Sequence, residues 1–295
     1  KLRSGNAKAK DKIAIIAVEG AILQSDGFVK RQIDRISKDK NVKAAVVRVD
    51  SPGGTVTASH YLYYHLKKLK KDKEKESGKA FPMVVSMGSI AASGGYYISM
   101  AVGDEPDTII AEETTWTGSI GVIIPKYNIT GLMGKLGIKD VSVASGPLKQ
   151  MGNPTRDRTT AERQLIEKKF KQLVTESFQG FKEVVAYGRP DLVKNDEAMK
   201  QVVTGQIFTA KQALEIGLVD KLGYLEDAID RAAELADLDS QSVRVVKYQQ
   251  PQGLLDIALG GQAQSTGFDL ARLVDLTAPR AYYLCTWMPV IVSNQ

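Results

Sequence analysis

Apolar residues along this chain alternate between short unbroken runs and longer stretches with helical spacing. The run "IAIIAVEG" (13–20) is β-branched and stopped by glycine, the mark of a buried strand. A helix is predicted over about 27–39, followed by "KAAVVRVDSPGG" (43–54), a strand running into a turn. Beyond Gly54, the residues Val56, Leu62, Tyr63, Leu66 and Leu69 recur at helical spacing and predict an amphipathic helix. "PMVVSMGS" predicts another strand into a turn, with a helix starting at Ala91. "TIIA" (108–111), "IGVII" (120–124) and "VSVA" (141–144) predict further short strands. Strands that alternate with helices, each ending in Gly or Ser, imply an α/β layered domain.

The ends and the second half read differently. Residues 1–12 are polar and small, a predicted disordered lead-in. Beyond 155 the pattern turns helical: Thr159 and Glu162 fit a capping box, and Leu165, Phe170, Leu173, Val174, Phe181 and Val185 mark an apolar stripe. "YGRP" (187–190) ends that helix with Gly then Pro, and Thr209 with Gln212 forms a second capping box. The stretch 262–295 has no clear period, and the chain from 259 onward is a tail of unknown role.

Composition narrows the classes. Apolar residues at 43% and charged residues at 25% over 295 residues describe a globular protein with a sizeable core. The net charge of +6 is mild and concentrates in "KKLKKDKEKESGK" (67–79) and the first dozen residues. No aromatic residue interleaves with that lysine run, which argues against nucleic acid as a partner. The single cysteine, Cys285, excludes an intramolecular disulfide and a thiolate metal cage. The longest apolar candidate for a membrane span, "YYLCTWMPVIV" (282–292), is shorter than the roughly eighteen residues a span requires.

Candidate chemistry lies at two strand-to-turn junctions, "VDSPGGTV" and "SIAASGGY". Paired glycines let backbone N–H groups point outward together, a setting that favours negative charge. Two such junctions, one carrying Ser93, point to an oxyanion hole beside a nucleophile. "AASGG" approaches the G-x-S-x-G elbow of hydrolases, with Ala91 in the first glycine position. A nucleophilic serine needs a base. The only histidines, His60 and His65, are five residues apart, roughly 140° around a helix, and suit neither a metal pair nor one shared site. That disfavours a Ser-His-Asp triad and leaves lysine, which acts as a base only where desolvation lowers its pKa from roughly 10.4 toward 7–8. Lys149 in "VASGPLKQMG" has small, apolar or uncharged neighbours; on composition alone it is one of several candidates.

Five motifs in order, "RVDSPGG", "GSIAASGGYYIS", "TTWTGSIGVI", "ASGPLKQMGNPTR" and "GQIFTAKQALEIGLVDKLG", resemble the bacterial signal peptide peptidase A family of membrane-associated serine proteases. The resemblance covers roughly residues 12–258. It implies an α/β fold of the Clp protease/crotonase-like kind, a spiral of ββα units with a helical C-terminal extension. It further implies a peptidase domain over 13–258 and a Ser-Lys dyad that degrades membrane-associated peptides such as remnant signal peptides. By the same resemblance Ser93 is the nucleophile, Lys149 the general base, Ser119 the hydroxyl that orients the lysine, and Gly54 and Gly94 the oxyanion donors through their backbone N–H groups. No metal and no cofactor is expected. The single-domain type of this family forms a homo-oligomeric ring with active sites at subunit interfaces. The resemblance also implies work at the bacterial cytoplasmic membrane, with the catalytic domain expected outside the cytoplasm and the membrane anchor expected in a segment absent from this chain. Two other readings remain: a crotonase-type acyl-thioester enzyme using the oxyanion hole alone, and an inactive peptide-binding scaffold.

Overall fold

The computed structural model describes residues 2–249 and 281–285. In chain order the elements are β1 (Leu2–Gly5), β2 (Lys12–Glu19), α1 (Phe28–Lys38), β3 (Val42–Ser51), β4 (Gly53–Thr55), α2 (Val56–Ser77), β5 (Met83–Ala92) and α3 (Gly94–Ser99). They continue as β6 (Ile109–Ala111), β7 (Trp116–Gly118), α4 (Thr130–Lys135), α5 (Thr160–Gly188), α6 (Pro190–Val193) and α7 (Asp196–Val202). The last are β8 (Ile207–Thr209), α8 (Ala210–Glu215), β9 (Lys221–Leu222), α9 (Leu225–Leu235), β10 (Arg244–Lys247) and β11 (Tyr282–Leu284). The fold is α/β, as the alternation of runs and helical stretches predicts.

The described residues fall into two units. The first comprises 2–122, 178–249 and 282–285; the second comprises 123–177 with 281. In the first unit a nine-stranded sheet runs β1-β10-β2-β3-β5-β6-β9, with β7 attached to β5 and β8 to β7. The strands from β10 to β9 pair in parallel, so helices must cover both faces. Ile16, Val47 and Val85 pack on one face with Ile33, Leu62, Leu66, Tyr96 and Tyr97 of α1–α3. Ile15, Val46 and Val84 pack on the other with Ala228, Ile229, Ala232 and Ala233 of α9. This two-sided burial explains why β2, β3 and β5 read as unbroken apolar runs.

The sheet curls at β5. Its first half pairs with β3 and with β6 (Val85↔Ile109), and its end pairs with β7 (Ile90↔Trp116, Ala92↔Gly118). Between Val49↔Met87 and Ser51↔Ala91 the β3–β5 register shifts, with β5 carrying the extra residues. Such a bulge bends and twists the strand. The Asp50 carboxylate stabilises it by accepting the Ile90 N–H (3.2 Å) and the Ser89 hydroxyl (3.3 Å).

Several expected elements differ. Residues 2–5 of the expected disordered lead-in form β1, antiparallel to β10. This pairing is made by backbone groups and leaves no apolar pattern; at Gly5 (φ +78) a Cβ would stand 2.0 Å from the Val243 carbonyl oxygen. The helix expected from Ala91 begins at Gly94, because pairing with β7 keeps Ile90–Ala92 extended. Residues 120–124 form no named strand, and the apolar Ile120 is used in the core instead. Residues 141–144 are not a strand either: Val141 and Val143 are 85% and 98% exposed. Both capping boxes are present, with the N–H of Glu162 donating to Thr159 and that of Gln212 to Thr209. Along α5, Phe170, Phe181 and Val185 are buried, whereas Leu165 and Leu173 are exposed. Of the tail from 259, residues 282–284 form β11, which pairs antiparallel with β4 in a separate two-stranded sheet; residues 250–280 and 286–295 lie outside the described residues.

Candidate active site

Ser93 sits where β5 turns into α3, with φ 54 and ψ −113. A β-carbon makes positive φ costly, about 1–3 kcal/mol, and the surroundings must enforce it. They do so through the backbone: the Ser93 N–H donates to the Gly118 carbonyl (2.8 Å), and the Ser93 carbonyl accepts from the Tyr97 N–H (2.8 Å). The side chain is almost fully buried, and among the described residues its Oγ has no hydrogen-bond partner. This is the geometry of a strained strand-to-helix elbow with a hydroxyl at its turn.

Ser119 follows Gly118 and also has positive φ, 53°. Its N–H donates to the Gln206 carbonyl at 2.7 Å, and its side chain is buried. Since Ala92 pairs with Gly118, Ser93 and Ser119 each stand one residue beyond the same register pair. The two hydroxyl-bearing residues are thus delivered together by the β5–β7 ladder.

The glycines converge. A Cβ on Gly94 would stand 3.1 Å from the Gly54 nitrogen, 3.1 Å from the Gly53 Cα and 2.5 Å from the Ser59 hydroxyl oxygen. A Cβ on Gly54 would stand 1.9 Å from the Ile22 carbonyl oxygen. Only glycine permits this approach of three backbone segments. Ile22 bonds to both flanks of Gly54, its N–H donating to the Gly53 carbonyl (2.8 Å) and its carbonyl accepting from the Thr55 N–H (2.9 Å). The amide of Gly54 therefore faces the opposite side, toward β11.

On that side, the Cys285 N–H donates to the Pro52 carbonyl at 3.1 Å, and the register pairs Tyr283 with Gly54. Bonded pairs recur at every second residue of an antiparallel ladder, so Gly54 and Tyr283 form a bonded pair. The Tyr283 carbonyl oxygen lies 2.1 Å, and the Gly94 nitrogen 2.6 Å, from the point where a Cβ on Gly53 would stand. The Tyr283 carbonyl oxygen and the Gly94 nitrogen thus both approach Gly53 closely. The Tyr283 ring is buried against Tyr97 (centroids 4.8 Å apart, 23° between planes) and Phe181 (4.6 Å, 53°). Burial pushes the Tyr283 phenol up to about 12.

Lys149 belongs to the second unit. It lies in a turn, its N–H donating to the Gly146 carbonyl (3.2 Å), and its side chain is exposed. The loop around it is braced from both ends. Arg158 donates to the carbonyls of Gln150 (2.7 Å) and Asn153 (2.8 Å). The Asp140 carboxylate accepts from the Ser142 N–H (2.8 Å), the Asn153 amide (2.8 Å) and the Thr155 hydroxyl. Those hydrogen bonds, from Ser142 first and then Thr155 and Asn153, hold the Asp140 carboxyl well below the usual carboxylate range.

A profile of Peptidase family S49 matches residues 73–239. The chain belongs to peptidase family S49. A Synechocystis sp. relative bearing a protease name is 37% identical over 86% of this chain and 85% of its own length. The chloroplastic serine protease SPPA of Arabidopsis thaliana is 30% identical over 88% of this chain, which spans 38% of that longer protein. A membrane-bound stomatin-specific protease solved with a substrate peptide shares 15% identity, with a TM-score of 0.47 over 85% of this chain and 97% of that one. This S49 chain is a serine protease by family.

Pattern reading missed several residues around the elbow of this S49 peptidase. Ser59, in the first turns of α2, is fully buried beside Gly94, and its hydroxyl has no partner among the described residues. Tyr97, Phe181 and Tyr283 form one aromatic cluster drawn from three remote segments. The "YY" after "SGG" was the one visible signal, since Tyr97 follows Ser93 by a single helical turn. His60 is exposed, and its Nδ1 lies 2.8 Å from the Tyr97 hydroxyl. Among the described residues no cluster of three or more His, Cys, Asp or Glu side chains could hold a metal ion.

Proposed function

We propose that this S49 peptidase cuts peptides with a Ser-Lys dyad. Ser93 attacks the scissile carbonyl carbon. Neutral Lys149 takes its proton, and the side chain of Ser119 holds the lysine amine in line. The amides of Gly54 and Gly94 receive the oxyanion. Lys149 then protonates the leaving amine, and water hydrolyses the acyl-enzyme with the lysine acting as base again. The observation that carries this reading is the Ser93 hydroxyl: buried, without a partner among the described residues, and on a strained turn directly before Gly94, whose backbone meets that of Gly53 and Gly54.

Lys149 supports an assembly. A lysine works as a base only in apolar, water-poor surroundings, yet this side chain is exposed in its own chain. The second unit also exposes Tyr127, Leu132, Leu136, Ile138, Val141 and Val143. Large exposed apolar residues crowded into one stretch of chain suit a contact surface. A head-to-tail ring, in which one copy's lysine loop is covered by its neighbour, accounts for both features and agrees with the resemblance. Remnant signal peptides in the membrane are the proposed substrates. Among the described residues no helix is long and apolar enough to cross a membrane.

A fluorogenic peptide assay on wild type, Ser93→Ala and Lys149→Ala tests the reading. Both variants should lose several orders of magnitude in turnover while keeping wild-type circular dichroism. Retention of more than a few per cent of turnover by Ser93→Ala would reject it as nucleophile.

A further inference from the structure

Resting on that reading, we infer that Ser59 is a positioning residue for the reaction. Its buried hydroxyl stands against Gly94 and steadies the Gly94 amide as negative charge develops there.

Two side-chain hydroxyls among the described residues are fully enclosed and without a partner, those of Ser93 and Ser59. An enclosed hydroxyl left unpaired lowers stability, so its presence calls for a reason outside the folded ground state. Other buried hydroxyls around the glycine junctions are employed. Ser51 accepts the Gly53 N–H (3.1 Å), Thr55 accepts the Ala58 N–H (3.2 Å), and Thr117 donates to the Ala91 carbonyl (2.7 Å).

A helical serine has a ready partner in the carbonyl four residues back. Ser99 uses it, donating to the Gly95 carbonyl at 2.8 Å, and so does Ser77, donating to the Lys73 carbonyl at 2.8 Å. Ser59 does not. Its Oγ lies 2.5 Å from the point where a Cβ on Gly94 would stand. A carbon–carbon bond is about 1.5 Å, so the hydroxyl oxygen is within about 4 Å of the Gly94 Cα. The same point is 3.1 Å from the Gly54 nitrogen. The hydroxyl thus fills the space that any side chain at 94 would claim, where the two junction glycines meet.

The seat of this hydroxyl is fixed. Thr55 caps the start of α2, and the next residue along, His60, meets the Tyr97 hydroxyl of α3 at 2.8 Å. Both helices are therefore tied together beside the contact, and the Ser59 O–H retains only its own rotation. No bond to Ser59 forms or breaks in the reaction. In the proposed mechanism the oxygen of the attacked carbonyl gains charge at the Gly54 and Gly94 amides. A hydroxyl dipole in dry surroundings aligns with that charge without any movement of the backbone. The bound substrate carries no such charge, so Ser59 acts on turnover and leaves binding alone.

The test is Ser59→Ala in the full chain. With a fluorogenic peptide, kcat should fall about tenfold and KM should stay within about twofold, whereas loss of a direct oxyanion donor costs roughly a hundredfold or more. A peptide aldehyde adds to Ser93 as a hemiacetal whose oxygen takes the place of the oxyanion. Its affinity should fall by the same factor as kcat, while the matching peptide alcohol binds as it does to wild type. The urea midpoint should equal or exceed that of wild type, because the variant removes an unpaired buried hydroxyl. Ser59→Cys, which keeps a side chain there but is a weak donor, should behave as Ser59→Ala. Wild-type kcat in Ser59→Ala overturns the inference, as does full activity in Ser59→Cys. A parallel loss of aldehyde affinity, alcohol affinity and urea midpoint also overturns it, since Ser59 would then be packing alone. In each of these cases the dyad stands, provided Ser93→Ala is inactive. An active Ser93→Ala would instead remove the reading on which the inference rests. Should Ser59→Cys not fold, the alanine variant decides.

Discussion

Ser93 and Gly118 are joined backbone to backbone, the N–H of one donating to the carbonyl of the other over 2.8 Å. This bond ties the strained elbow to the strand that leads into Ser119, so both hydroxyls depend on the backbone at Gly118. Gly118 has φ +83, and a Cβ there would stand 2.6 Å from the Phe208 ring. Gly118→Ala should therefore destabilise the protein by about 1–3 kcal/mol. Urea denaturation measures this. A midpoint equal to wild type would show that the strand accommodates the methyl group.

Catalysis through a neutral lysine makes kcat/KM rise with pH from neutral into the alkaline range. A profile governed by a single group near roughly 6.5 would indicate a histidine instead. In the same assays Ser119→Ala should lose less activity than Lys149→Met, because an orienting hydroxyl assists the base without being it.

A site shared between neighbours predicts complementation. Ser93→Ala and Lys149→Ala, mixed under conditions that exchange subunits, should leave roughly a quarter of the sites with both groups intact. Activity no higher than that of the separate parents, with exchange demonstrated by mass spectrometry of labelled subunits, would show that each dyad forms within one chain.

Asp140 closes the loop that carries Lys149. Its carboxyl is held below the usual value of 3.8 by hydrogen bonds from Ser142, Thr155 and Asn153. A group depressed in the folded state contributes stability that is fully present above its unfolded value and is lost as pH falls through the folded one. Protection from hydrogen exchange over 141–155, taken relative to the intrinsic rate at each pH, should accordingly stay unchanged from pH 7 down to about pH 4. Asp140→Asn should lower that protection at every pH in the range. Identical exchange in variant and wild type would remove Asp140 from the brace.

Local pattern determined much of this fold. The buried runs of β2, β3 and β5 were visible because a strand covered on both faces has no polar positions. The stripe of α2 and the two capping boxes were visible because their partners lie within a few residues. Ser93 stood out through its small neighbours, since close backbone approach excludes anything larger. Pattern alone left the choice of lysine among several candidates. What only the tertiary structure decided are relations between remote segments. The pairing of Tyr283 with Gly54 and the aromatic cluster of Tyr97, Phe181 and Tyr283 leave no periodic trace, because each joins positions far apart in the chain. The end of β5 departs from its local pattern for the same reason: Ala91 and Ala92 suit a helix by themselves, and pairing with Thr117 and Gly118 holds them extended. Periodicity records how an element faces its own core. Backbone hydrogen bonds to a distant strand are made by groups that every residue carries, so their partners become legible only when the chain is folded.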